Sequence, residues 1–156
     1  WPLKSMVHRS LGCLVTGVTY REPAVLAKMA ATVDHVSDGR LEFAIGASWH
    51  EAEHRMYGIS FPPVKERQDR LEEALQVIRL LFNADGRVNF DGTYYHLRDA
   101  VFVPKCVQRP HPPIMIGGGG EQRTLRAVAR YADIMNVFGS PDAVKKKIDV
   151  LEAHCR

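Results

Sequence analysis

The chain contains 156 residues, of which 46% are hydrophobic and 25% are charged, and 21 Lys and Arg residues against 18 Asp and Glu residues leave a formal charge of +3. These proportions are typical of a globular domain with its own core, and they exclude disordered, collagen-like and disulfide-stapled classes. The densest basic run, Lys145 to Lys147, would be spread around a helix. We therefore predict no nucleic-acid partner.

The three cysteines, Cys13, Cys106 and Cys155, are far apart and lack the CxxC spacing of metal or redox sites. Such a pattern favours reduced thiols in a cytoplasmic protein, and Cys13 is expected to be a small core residue because it lies in an apolar run. No apolar run approaches the roughly 20 residues of a membrane span, and no signal-peptide pattern is present. We predict no membrane partner. The start at Trp1, without a methionine, suggests a piece of a longer reading frame.

Apolar periodicity predicts two strand-helix units in the first half of the chain. The run 11–16 is nearly continuous in apolar residues, which favours a strand buried on both faces. A helix follows from Pro23 to the stop at Asp38-Gly39, with apolar residues at helical spacing: Val25, Leu26, Met29, Val33 and Val36. The run 41–46 predicts a second strand, and Leu71, Leu75, Ile78 and Phe82 form the stripe of a helix over 64–83.

At the start of the second half of the chain, the spacing of apolar residues changes from helical to alternating. Between Arg87 and Lys105 the apolar residues alternate around Asp91-Gly92, which predicts an antiparallel hairpin with a tight turn. A third strand over 114–116 then enters four glycines and a helix carrying Leu125, Val128 and Ala132. A fourth strand over 134–137 precedes a last helix that begins at Pro141 and carries Val144, Ile148 and Leu151.

Four strand-helix units in sequence predict a parallel sheet covered by helices, either open or closed into an eightfold barrel. Both architectures bind ligands at the carboxyl ends of their strands. The loop of Gly117, Gly118, Gly119 and Gly120 lies at such an end, where bare amides before a helix could hold a phosphate and Arg123 could add a charged contact. The alternative is a permissive turn that only connects strand and helix.

Two further strand ends carry candidate residues. Gly17, after Thr16, would allow close backbone packing under a flat ligand, or would simply end the strand. His50-Glu51-Ala52-Glu53-His54 matches the HExxH pattern, in which two imidazoles bind zinc and a glutamate acts as base. The pattern predicts a zinc hydrolase as the alternative function. Pro62 and Pro63 argue against it, because they end the helix before a third ligand can follow.

Several blocks in this order resemble the luciferase-like monooxygenase family, and in particular its deazaflavin-dependent branch. The blocks are LGCLVTGVTYREP (11–23), the run over 23–48, EAEHRMYGISFPP (51–63), PPIMIGGGG (112–120) and YADIMNVFG (131–139). The resemblance implies an α/β fold, part of a (β/α)8 TIM barrel with about four strand-helix units. It implies one partial barrel domain over 1–156, with an antiparallel hairpin insertion at 87–105.

The resemblance also implies an oxidoreductase whose cofactor is coenzyme F420 (8-hydroxy-5-deazaflavin) or FMN, acting on a small organic molecule. Its cofactor-binding residues would be Thr16, Gly17, Val18, Gly46, Ala47, Ser48, Gly117, Gly118, Gly119, Gly120 and Arg123. A non-proline cis peptide is expected at Gly17-Val18. His50 and Glu53 are weak candidates for an acid or base, and no metal is implied.

Family members have two strand-helix units before this region and further strands after it, so Trp1 to Arg9 would be the tail of a preceding helix. We expect a fragment, whose activity alone is doubtful because half a barrel leaves unpaired edges. A homodimer stays open. A third hypothesis is a non-enzymatic module that binds a phosphate ligand or forms oligomers.

Overall fold

The structure is a computed structural model that describes residues 9–156. In chain order, its elements are β1 (Thr16–Gly17), α1 (Pro23–Val36), β2 (Phe43–Gly46), α2 (Glu51–Met56), α3 (Val64–Asn83), β3 (Val88–Asp91), β4 (His96–Ala100), β5 (Ile114–Gly117), α4 (Thr124–Tyr131), β6 (Ile134–Asn136) and α5 (Pro141–His154). The predicted helical tail over Trp1 to Arg9 lies outside the described residues, Arg9 excepted.

Four strands form one parallel sheet in the order β1-β2-β5-β6, and β3 and β4 form a separate antiparallel pair. Each parallel strand is followed by a helix, which confirms the four predicted strand-helix units. The α/β class and the partial barrel are confirmed as well, because a parallel sheet with crossover helices is the element from which such barrels are built.

The core lies between the sheet and the long helix α3. The predicted stripe of α3 is buried: Leu71, Leu75 and Ile78 are fully buried, and the ring of Phe82 meets the ring of Phe43 edge to face at 5.9 Å. The bounds of α3 agree with the prediction. Burial of such a stripe contributes about 1.5–3 kcal/mol per large side chain, which holds α3 against the strands.

Helix α1 spans the predicted residues but buries a different face. Its buried side chains include Leu26 and a series of alanines with Asp34, whereas Val25, Met29, Val33 and Val36 are exposed. The predicted apolar stripe was therefore wrong for all but Leu26. Alanine has a small side chain, which lets the buried face of α1 approach its neighbours closely.

The first predicted strand is much shorter than expected. Only Thr16–Gly17 forms a strand, Leu11 makes an isolated bridge to Leu41, and Leu14 is 67% exposed. Cys13 is exposed, so its placement in the core was wrong. The reason is that β1 is the edge of the described sheet and pairs only with β2. The non-proline cis peptide is Leu14-Val15, not Gly17-Val18.

The predicted hairpin is present, but its turn is not the expected two-residue Asp-Gly turn. Asp91 pairs with His96 inside the strands, and the loop therefore runs from Gly92 to Tyr95. The carboxylate of Glu73, on α3, accepts hydrogen bonds from the amides of Thr93 (2.9 Å), Tyr94 (2.9 Å) and Tyr95 (3.2 Å). A side chain from a distant helix thus shapes this loop.

The last helix, α5, begins at Pro141 as predicted. Ser140 caps it by accepting a hydrogen bond from the amide of Ala143 at 3.4 Å. None of its residues is fully buried. Across residues 9–156, we find no helix that combines the length and the apolar character needed to cross a membrane.

Candidate functional site at the carboxyl ends of the strands

The strand ends that carry the predicted site residues lie in one row. Gly17 pairs with Gly46, Gly46 with Gly117, and Gly117 with Asn136 across the four strands. The amide of Val18 continues this row by donating to the carbonyl of Gly46 at 2.9 Å. The structure therefore brings the three predicted strand ends together at one edge of the sheet.

The side chain of Val15 explains why two of these positions, Gly46 and Gly117, are occupied by glycine. A Cβ atom on Gly46 would stand 2.9 Å from Cγ2 of Val15, and one on Gly117 would stand 2.8 Å and 2.9 Å from its two methyl carbons. Real Cβ atoms do not approach so closely. Val15 therefore packs across both strands, and glycine is needed beneath it whether or not a ligand binds.

The glycine loop that follows β5 is open to solvent. Gly118, Gly119 and Gly120 are all exposed, and Gly118 has φ +128°, a conformation that other residues rarely adopt. The amide of Gly118 donates to the carbonyl of Asn136 at 3.0 Å, so it is already used. Within the described part of the chain, the amides of Gly119 and Gly120 have no hydrogen-bond acceptor. These two donors precede α4.

The charged groups beside the loop differ from those expected. Arg123 donates from Nη1 to the carbonyl of Lys65 at 3.2 Å and forms an ion pair with Asp69, so its guanidinium is turned toward α3. This ion pair holds the pKa of Asp69 below its usual value. A cation that does lie beside the glycines is Lys147 on α5, whose Nζ lies 2.6 Å from Oε1 of Glu121.

Lys147 illustrates what sequence reasoning missed. Its Cε would lie 3.8 Å from a Cβ on Gly119, which places an ammonium group beside the bare amides. From the sequence alone, the lysine run is expected to be a solvated helix face. Only the packing of α5 against α4 brings one of its members to the loop, so no local signal could have found it.

A chain of side-chain hydrogen bonds connects the ends of β1 and β2 to the helix after them. Thr19 Oγ1 lies 2.7 Å from Ser48 Oγ and 2.6 Å from Nε2 of His54. Nδ1 of His54 lies 2.8 Å from the carbonyl oxygen of His50. Ser48, a predicted cofactor residue, has φ +67°. Thr19 and His54 were not predicted to take part in this connection.

Aromatic side chains enclose the imidazole of His54, which is fully buried. The ring of Tyr20 stacks on it at 4.8 Å, and Phe61 meets it edge to face at 4.6 Å. The hydroxyl of Tyr20 donates to Oε2 of Glu53 at 2.5 Å, and this bond raises the pKa of Tyr20 to about 12. The Tyr20 hydroxyl is therefore harder to ionise than that of a free tyrosine and stays a donor to Glu53.

This geometry gives no support to the zinc prediction. Both ring nitrogens of His54 already have protein partners, and His50 is exposed with its ring tilted against Trp49. Among residues 9–156, no cluster of three or more histidine, cysteine or acidic side chains could hold a metal ion. Of the weak acid-base candidates, Glu53 is engaged by Tyr20, and His50 lies at the surface.

Two aromatic residues at the strand ends were also missed. Trp49 follows β2 by three residues and is 83% exposed, and Phe138 follows β6 by two residues and is 89% exposed. Large apolar groups left in solvent beside a ligand edge are candidate contact surfaces. Their position just after predicted strands was a signal that the sequence contained.

Comparison with known proteins decides the family. The sequence profile described as luciferase-like monooxygenase matches residues 10–156, nearly the whole chain. The chain belongs to the luciferase-like monooxygenase family. An FMNH(2)-dependent dimethylsulfone monooxygenase of Pseudomonas putida is 32% identical over 133 residues, which are 84% of this chain and 36% of that protein.

Other members of the luciferase-like family use a different cofactor. An F420-dependent glucose-6-phosphate dehydrogenase of Amycolatopsis mediterranei (strain U-32) is 38% identical over 125 residues, covering 78% of this chain and 34% of that protein. An F420-dependent secondary alcohol dehydrogenase, solved with an F420-acetone adduct, superimposes with a TM-score of 0.83 at 29% identity. That match covers 94% of this chain and 44% of the dehydrogenase.

Each of these relatives is more than twice as long as the segment that they share with this chain. The family thus contains enzymes that use reduced FMN and enzymes that use coenzyme F420. Both cofactors join a flat ring system to a phosphate through a ribityl side chain, which fits the class of ligand expected at the row of strand ends.

Proposed function

We propose that this chain is the part of a luciferase-like oxidoreductase that holds the phosphate of a flavin or deazaflavin cofactor and one side of its ring. The observation that carries the proposal is the exposed loop at Gly119 and Gly120, with two amides lacking acceptors, at the end of the row Gly17, Gly46 and Gly117. The relatives support the cofactor class.

The residues present fit such a cofactor. Unpaired amides ahead of a helix of eight residues attract an anion, both as donors and through the helix dipole. Lys147 would add a positive charge once it leaves Glu121. Ser48 and Trp49, after β2, would face the ring from the same edge of the sheet, and Thr16, Val18 and Ala47 would supply backbone around it.

The bound cofactor would supply the redox chemistry: hydride transfer with deazaflavin, or oxygenation with reduced FMN. The protein contributes position and charge. The substrate would be a small organic molecule, and the domain would be one partial barrel over 1–156 with the insertion at 87–105. Cytoplasmic location and a homodimer stay predictions.

Fluorescence titration of FMN and coenzyme F420 with the wild-type chain tests the proposal, and riboflavin serves as the ligand without a phosphate. The informative variant is Gly119→Asp, because a Cβ on Gly119 would meet only Cε of Lys147, at an ordinary 3.8 Å, whereas Gly118 would be strained by any side chain. The added carboxylate would repel the phosphate by about 1–3 kcal/mol, a roughly ten- to hundred-fold loss of FMN affinity.

Two control variants separate charge from size and from position. Gly119→Ala adds a Cβ without charge, and Gly86→Asp adds the same charge in a loop that has nothing within 4 Å of the new Cβ. Both should bind FMN like the wild type. The proposal fails if the wild-type chain binds neither cofactor, or if Gly119→Asp weakens riboflavin and FMN equally.

A further inference from the structure

The donor and the acceptor of each hydrogen bond among Ser48, Thr19 and His54 can be assigned. The assignment starts from the carbonyl oxygen of His50, which bonds to His54. The carbonyl oxygen of His50 can only accept a hydrogen bond, so Nδ1 of His54, 2.8 Å away, carries a proton. His54 is fully buried, and its two ring nitrogens meet the hydroxyl of Thr19 and the carbonyl of His50, not a carboxylate. A buried charge without a partner is costly, so the imidazole is neutral and its Nε2 is a bare acceptor.

The remaining hydrogens follow one after another. Because Nε2 has no hydrogen, the Thr19 hydroxyl must donate its single hydrogen across the 2.6 Å separation to His54. The Thr19 oxygen is then an acceptor toward Ser48, 2.7 Å away, and the Ser48 hydroxyl donates to it. The hydrogen of Ser48 is thereby directed inward, and only its lone pairs are left for a ligand.

We propose that His54 is a positioning residue that, through Thr19, fixes Ser48 as a hydrogen-bond acceptor toward the bound ligand. The ligand group that meets Ser48 is then a donor, an N–H or an O–H, and a carbonyl or carboxylate oxygen is disfavoured there. This inference rests on the proposed function, because that function brings a ligand to the strand ends.

Packing keeps this arrangement in place. The ring of His54 is held between Tyr20 and Phe61, so it cannot turn over to exchange its two nitrogens. The guanidinium of Arg67 lies 3.8 Å from the centroid of Phe61 and donates to the carbonyl of Pro62 at 2.7 Å, which fixes Phe61 in turn. A lone serine on an exposed loop would instead rotate and donate or accept as required.

The tautomer of His54 is measurable without any ligand. Long-range proton-nitrogen NMR correlations of the chain labelled with nitrogen-15 in histidine should show a protonated Nδ1 and a bare Nε2 at pH 7.5. The signal of His54 is assigned by its loss in His54→Phe, which retains an aromatic ring between Tyr20 and Phe61. A protonated Nε2, or an imidazolium ion, would overturn the inference.

The second measurement compares two variants of Thr19 in the FMN titration. Thr19→Val keeps the shape of the side chain but breaks the connection, so Ser48 is free to turn its hydrogen outward, and FMN affinity should fall about tenfold. Thr19→Ser keeps the hydroxyl and should bind FMN within about twofold of the wild type. Equal affinity of the valine and serine variants would contradict the inference.

The two proposals fail in different ways. If the wild-type chain binds neither FMN nor coenzyme F420, the proposed function is wrong, and the role of Ser48 toward the ligand is refuted with it, whatever the tautomer of His54. If FMN binds and Gly119→Asp weakens it, but Thr19→Val and Thr19→Ser behave alike, the proposed function stands and the role of His54 is refuted.

Discussion

The contact of Val15 with two strands makes a quantitative prediction about Gly117. In Gly117→Ala, the new methyl group would stand 2.8 Å and 2.9 Å from the methyl carbons of Val15, whereas carbon atoms pack best at roughly 3.5–4.0 Å. The β-branched side chain of Val15 has few alternative rotamers, so the backbone of the strands must shift to relieve the contact. Overpacking of this kind costs about 1–3 kcal/mol, and we expect the free energy of unfolding to fall by that amount.

A second substitution should reverse the loss. Val15→Ala removes both close methyl carbons and leaves only its Cβ, at 3.5 Å from the new methyl group, an ordinary contact. Urea unfolding followed by far-UV circular dichroism, applied to the two single variants and the double variant, gives the coupling energy. We expect a coupling of about 1–3 kcal/mol between the two sites.

The control is Gly86→Ala, because no atom lies within 4 Å of a Cβ at that position. It should be neutral, or more stable by up to about 1 kcal/mol through the less flexible unfolded chain. Strictly additive effects of Val15→Ala and Gly117→Ala would refute the packing argument. The need for glycine at Gly117 would then be explained by the predicted phosphate loop and not by Val15.

Two further predictions concern buried polar groups away from the strand ends. The fully buried carboxylate of Asp34 accepts hydrogen bonds from the amides of Val107 (2.7 Å) and Gln108 (3.0 Å) and from the Gln108 side chain (2.7 Å). Asp34→Ala leaves these donors without their acceptor, so it should lower the free energy of unfolding by about 3–5 kcal/mol. The exposed Asp149→Ala should change it by less than about 0.5 kcal/mol, and equal losses would contradict this account. Burial raises the pKa of the Cys106 thiol to about 11, while Cys13 and Cys155 are exposed, so Ellman's reagent at pH 8 should label two thiols of the native chain rapidly and the third only upon unfolding. Cys106→Ala should remove the slow phase alone, and rapid labelling of all three thiols would show that Cys106 is accessible.

Local patterns were sufficient for the order and type of the elements. The bounds of α3 and the strands ahead of the glycine loop follow from apolar period and from Pro and Gly signals, which act over a few residues. The row of strand ends also followed, because parallel strands present their carboxyl ends at one edge. The candidate site could thus be placed at that edge from the sequence.

Sequence patterns are therefore enough to predict the succession of strands and helices, the family, and the edge at which a ligand would bind. Long-range packing sets the burial of the alanines of α1, the position of Val15 over two glycines, and the position of Lys147 beside Gly119. It also decided that His54 bonds Thr19 across 35 positions, not a metal. These outcomes depend on which distant atoms come within a few ångströms, and no local period or motif encodes such distances.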